Sequence, residues 1–156
     1  MKEKGILLPV FSLPSQYGIG DFGNEAYEFV DILSANNITY WEILPINACR
    51  NFPYSPTSYY ALNEDYISLD KLKEAGLLDE VEKREVTNKA VYDKFKRPYF
   101  KEAFSRFRKN DDYEAFIKQK EIVEYAEYMS ENKKESADYF LFLQYIAYSQ
   151  WMALKK

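Results

Sequence analysis

The chain has 156 residues, 21 basic and 25 acidic side chains and a formal net charge of −4, which disfavours non-specific nucleic-acid binding because that needs a basic surface. It holds no histidine and one cysteine, so imidazole zinc sites, Ser-His-Asp or Cys–His catalysis and an internal disulfide framework are excluded. A hydrophobic share of 47% fits one ordinary folded domain, whereas a closed (β/α)8 barrel typically takes about 250 residues.

Gly5 to Phe11 is a short, nearly continuous apolar run, as expected of a strand buried on both faces. Met1-Lys2-Glu3-Lys4 leads into it with no apolar signal stretch, so a cytoplasmic chain is expected. Gly18-Ile19-Gly20-Asp21-Phe22-Gly23 follows. Its spacing is not the dinucleotide fingerprint, and the glycines suit a tight turn. Asn24 is expected to cap a helix with Ala26, Phe29, Val30 and Leu33 on one face, broken at Asn36-Asn37. Tyr40 to Leu44 reads as a second strand. Strand, helix and strand at this spacing form a parallel, right-handed βαβ unit. A buried Glu42 on that strand would have a raised pKa, but no partner carboxylate sits near it in the predicted layout.

The segment Phe52-Pro53-Tyr54-Ser55-Pro56-Thr57-Ser58-Tyr59-Tyr60-Ala61-Leu62-Asn63 leaves the C-terminal end of the second strand. Parallel α/β folds carry their substrate loops at that end. Prolines stiffen the backbone, and the tyrosines offer flat faces with a polar tip, which suits stacking on a sugar. The other reading is a stiffened surface loop whose tyrosines pack on the domain. Cys49, just before it, reads as a small loop residue.

A short helix is expected from near Asp70, punctuated by Gly76, with no strand after it. Pro98 is placed in the first turn of a helix running to about Arg108, with Phe100, Phe104 and Phe107 on one stripe. Asp111-Asp112 starts a helix through Lys118, and another spans Val123 to about Asn132. Ser136 caps the last helix, in which Phe140, Leu143, Ala147, Trp151 and Leu154 recur at helical spacing and Trp151 reads as core. Its apolar region, Tyr139 to Ala153, is interrupted by Gln144, Ser149 and Gln150 and is too short to span a bilayer, so no membrane association is expected. Residues 118–121 and 131–135 are charge runs that read as solvated helix ends.

In order along the chain, the Gly5–Ser15 run, the Tyr17–Gly23 loop, Tyr40-Trp41-Glu42-Ile43-Leu44-Pro45-Ile46, Tyr66-Ile67-Ser68-Leu69-Asp70 with Gly76-Leu77-Leu78, Phe140-Leu141-Phe142-Leu143-Gln144-Tyr145 and Gln150-Trp151 resemble the start of the 4-α-glucanotransferase (amylomaltase, disproportionating enzyme) family of the α-amylase clan. The resemblance covers about residues 5 to 154. It implies an α/β fold forming the N-terminal part of a (β/α)8 TIM barrel, with two parallel strands and a mainly helical subdomain. The implied division is 1–70 for the first barrel βαβ unit and substrate loop, 71–134 for the helical insertion, and 135–156 for the helix leading back to the barrel.

The family transfers α-1,4-glucan segments between maltooligosaccharides with retention of configuration. The resemblance implies no metal and no cofactor. Its aspartate nucleophile, glutamate acid/base and stabilising aspartate come from later barrel strands and have no matching position here. No catalytic residue is therefore assigned, and the chain by itself is expected to be inactive. Tyr54 matches the tyrosine of the family's Ser-Pro-Tyr loop and is implied to contact substrate. Phe52 stands where the serine is usual, residues 47–51 form a shorter loop without the usual glycines, and Glu42 replaces a glutamine. An exposed apolar edge along the second strand is expected to drive self-association or pairing with the C-terminal half. The alternatives are a non-catalytic glucan-binding remnant and a helical interaction module built on the aromatic stripes of Pro98–Lys156.

Overall fold

The computed structural model describes residues 3–84 and 89–156. Its elements in chain order are β1 (Gly5–Leu7), α1 (Asn24–Ala35), β2 (Tyr40–Glu42), α2 (Leu69–Glu74), α3 (Lys89–Arg106), α4 (Asp111–Phe116), α5 (Lys120–Lys133) and α6 (Ala137–Leu154). β1 and β2 pair in parallel with Gly5 opposite Tyr40 and Leu7 opposite Glu42. The βαβ unit is therefore as the apolar pattern demands. Two further bonds fasten the strands, Leu8 N–H to the Glu42 carbonyl at 2.9 Å and Trp41 Nε1–H to the Leu8 carbonyl at 2.7 Å.

The first strand is shorter than its apolar run. Pro9 has no N–H to give a ladder, and Val10–Ser12 closes into a 3-10 turn. Nor are the strands buried on both faces: Leu7 is 56% and Tyr40 53% exposed. Phe29 of α1 packs on Trp41 at 5.0 Å on one face, but among the described residues no third strand joins the sheet. Helix α1 begins at Asn24, with Gly23 rather than Asn24 as the capping residue, and ends at Asn36 with Asn37 at positive φ. Gly20 is needed for close approach, since a Cβ there would overlap the Val10 carbonyl oxygen and press on Leu13.

Pro98 lies inside α3, not in its first turn. The helix tolerates it because Lys94 and Pro98 both face solvent, where water can meet the Lys94 carbonyl that the missing N–H leaves free. The buried stripe of α3 is Tyr92, Phe95, Lys96, Phe100 and Ala103, and Phe104 and Phe107 pack against the same core. Asn110 caps α4 by accepting from Tyr113 N–H, and Ser136 caps α6 by accepting from Tyr139 N–H. Both α4 and α5 differ from their predicted bounds by two or three residues, which is ordinary for helix ends.

The buried side chains form a large cluster from α2 to α6, a smaller one around Val10, Leu13, Phe22, Ala26 and Tyr66, and a third made of Ala48, Ala61 and Tyr125. Helix α6 reaches the first two. Tyr139 to Ala147 lies mostly in the large cluster, while half-buried Trp151 and Leu154 pack against the small one. Around Phe142 the helix is buried on every side rather than along one stripe. Among the described residues, no helix is long and apolar enough to cross a membrane.

Candidate functional site

The loop after β2 is built as an ordered excursion. Antiparallel bridges join Asn47 to Leu62 and Cys49 to Pro56. Ala48 N–H donates to the Ala61 carbonyl at 2.8 Å, Asn63 N–H to Ile46 at 2.9 Å and Thr57 N–H to Ala48 at 2.7 Å. Ser58 Oγ accepts from the Tyr60 and Ala61 amides, and Asn47 Nδ2 donates to the Tyr59 carbonyl. These bonds hold the backbone while leaving its large side chains outward.

Tyr54 is 63% exposed and stands beside Phe52, with ring centroids 5.7 Å apart. Tyr59 and Tyr60 are exposed as well. The loop tyrosines thus present their rings to solvent instead of packing on the domain. Glu42 lies exposed on β2 rather than buried.

Behind the loop lies a cavity of about 660 Å³, walled by the loop and by α3, α5 and α6. Glu64, Asp93, Arg97, Tyr125, Tyr128 and Glu135 are among the residues that line it. Half-buried Cys49 also contributes to its wall, and Tyr54 does not. Burial and a hydrogen bond to Glu64 push the Tyr125 hydroxyl above its ordinary range, which keeps it neutral as a donor.

Two glutamines on α6 secure the chain that leaves the loop. Gln144 Oε1 accepts from Leu62 N–H at 2.8 Å, and its Nε2 donates to the Leu62 carbonyl at 2.9 Å. Gln150 repeats the arrangement on Ser68, at 2.7 and 3.2 Å. Sequence reading met both residues as interruptions of an apolar run and as members of the motifs that carry the resemblance, and gave neither a role. A buried amide inside such a run must find partners, and that was the available signal.

Below the loop, Lys96 is 2% exposed and donates from Nζ to the Asp65 carbonyl at 2.8 Å and the Ile67 carbonyl at 2.6 Å. Its ammonium lies 3.7 Å from Asp21 Oδ2 and over the Tyr92 ring. Asp21 Oδ1 accepts from Gly23 N–H at 2.9 Å. Helix α3 is thereby tied both to the glycine-rich loop and to the segment after Leu62. Desolvation outweighs the nearby ammonium and pushes the Asp21 carboxyl up to about 6.

Because the folded value exceeds the unfolded one, folding favours the protonated form. That stability is fully present below the unfolded value of 3.8 and is lost as pH rises through about 6. The loss is on the order of 3 kcal/mol. Urea denaturation of the parent chain and of Asp21→Asn between pH 4 and 7 checks this. The parent should lose stability relative to the variant across the window, and a constant difference would show that the carboxyl is not raised.

The 4-alpha-glucanotransferase family model matches residues 8–135. A 4-alpha-glucanotransferase of Aquifex aeolicus is 35% identical over 166 residues, covering 100% of this chain and 34% of that protein. One from Synechocystis is 40% identical over 150 residues, covering 89% of this chain and 28% of its own length. Among solved structures, an amylomaltase from Streptococcus agalactiae in complex with acarbose superposes with a TM-score of 0.86 at 25% identity, over 99% of this chain and 40% of that one. The chain thus spans only about a third of the length of the curated relatives it matches.

Proposed function

The chain belongs to the 4-alpha-glucanotransferase family and carries the N-terminal part of its TIM-barrel fold, two parallel strands with mainly helical structure; from this we propose that residues 47–63 form one wall of a cleft for α-1,4-glucans, with Tyr54 as the sugar-contacting side chain. The observation that carries the proposal is the outward Tyr54 ring on a hydrogen-bonded loop at the C-terminal end of β2. A glucosyl unit offers an apolar C–H face to such a ring and hydroxyls to its phenol. Aromatic rings of the helical part favour this reading over an interaction module, since Phe100, Phe104, Phe107 and Phe142 pack within the chain.

In the retaining reaction one carboxylate attacks the anomeric carbon while a second protonates the leaving oxygen and later deprotonates the acceptor. The chain supplies neither group on this reading. Its part is to hold a glucan segment and to help keep water from the acceptor side, which favours transfer over hydrolysis. Leu7 and Tyr40 expose apolar surface on one face of the two strands and Ile6 on the other, and we take this uncovered sheet as the place where further barrel structure or a second copy would pack.

Titration with maltotriose, followed by amide chemical shifts, tests the site. Shifts are expected in the loop of the parent chain, lost in Tyr54→Ala and largely kept in Tyr54→Phe, with little change in stability because the side chain is exposed. Absence of shifts in the parent removes the proposal. The same sample should release no glucose from maltotriose, and release would show that the chain carries its own catalytic groups.

A further inference from the structure

At the base of the loop, Asn47 and Leu62 face each other as a bridge whose backbone bonds are made by their neighbours, Ala48 with Ala61 and Ile46 with Asn63. In antiparallel pairing the residues of such a site turn their own N–H and C=O away from the partner strand. Leu62 therefore presents a free donor and acceptor on its outer edge, and in a protein interior both must be met. The Gln144 amide meets both, from a helix 82 residues further along the chain. A primary amide is the one neutral side-chain group that returns a donor and an acceptor with the spacing of a peptide unit. At 1% exposure, no water competes for it.

We infer that Gln144 is the positioning residue of the Tyr54 loop: its side-chain amide acts as a third strand at the loop base and fixes how Tyr54 is presented. The inference rests on the glucan reading of that loop and deepens it. Asn47 and Leu62 hold the two ends of the loop together, and Ala48 and Ala61 pack on Tyr125 of α5, but apolar packing is non-directional. Gln144 adds a directed pair of hydrogen bonds from α6, which is packed on every side at that point. Pre-organisation of this kind raises affinity by removing the ordering cost from the binding step. Gln150 makes the same chemical contact at Ser68, six residues beyond Leu62 and outside the loop, so it serves as an internal control.

The test compares Gln144→Leu, Gln150→Leu and the parent by backbone 15N relaxation of residues 48–61 and by maltotriose titration. In Gln144→Leu the loop order parameters should fall from about 0.85 to below about 0.6, and maltotriose affinity should drop about tenfold. Gln150→Leu should lose stability while leaving both readings at parental values, which a purely structural role for Gln144 would not predict. Should Gln144→Leu fail to fold, Gln144→Asn keeps a neutral amide but draws it back by one methylene from the Leu62 N–H and carbonyl, and it should loosen the loop in the same direction. Parental order parameters in a folded Gln144 variant overturn the inference. A parent chain that does not bind maltotriose overturns the glucan reading instead, and the relaxation data then judge the clamp by themselves.

Discussion

Lys96→Met is expected to destabilise the chain by about 3–5 kcal/mol at pH 7, the usual cost of removing one member of a buried ion pair. The substitution keeps the stem's volume, so the loss is one of charge and hydrogen bonding. It strips a donor from the Asp65 and Ile67 carbonyls and leaves the Asp21 carboxyl without its cation. Tyr92 still donates to the Asp65 carbonyl at 2.6 Å, so Ile67 bears more of the deficit. The penalty should shrink at pH 5, where Asp21 takes up a proton in both proteins. Urea denaturation at the two pH values measures it. A loss below about 1 kcal/mol at pH 7 would mean that the ammonium is no more than a surface-strength contact.

Phe142→Ala comes next in expected size. The side chain is fully buried, with Phe104 and Phe107 rings at 5.4 and 5.1 Å. Neighbours on α3 and α6 are themselves large and held in place, so the site cannot collapse around an alanine. The expected cost is about 3–5 kcal/mol. In a domain of this size that lowers the melting temperature by roughly 10 °C. Calorimetry of the variant checks it, and a fall of only about 1–2 °C (roughly a tenth to a fifth of that) would show that the cavity closes.

The βαβ unit was legible because apolar runs at 5–11 and 40–44 flank a helical stripe of the right length, and period and spacing suffice for that topology. Residues 52–63 were legible as a loop at a strand end from their prolines, but whether the tyrosines pack on the domain was left open by the sequence, and only the structure leaves the Tyr54 ring 63% exposed. Burial was not legible at Ile6 and Leu7, where composition speaks of side-chain chemistry and not of how many strands lie alongside. Pro98 misled because its preference for a first turn is a local rule, whereas its place in α3 is set by which face the solvent takes. Lys96 gave no signal at all. A lysine within Lys94-Phe95-Lys96-Arg97 looks like a solvated charge, and only the two carbonyls converging on it from residues 65 and 67 give it an interior place.

Helix α6 carries side chains for the two larger hydrophobic clusters and is the last helix described in the chain. During synthesis from the N-terminus, Phe22 and Tyr66 would emerge long before Trp151, the ring that packs on Phe22 at 5.4 Å. The glutamines that receive Leu62 and Ser68 arrive equally late. A nascent chain that has reached α5 therefore holds two unfinished interiors at once, and one late segment completes both.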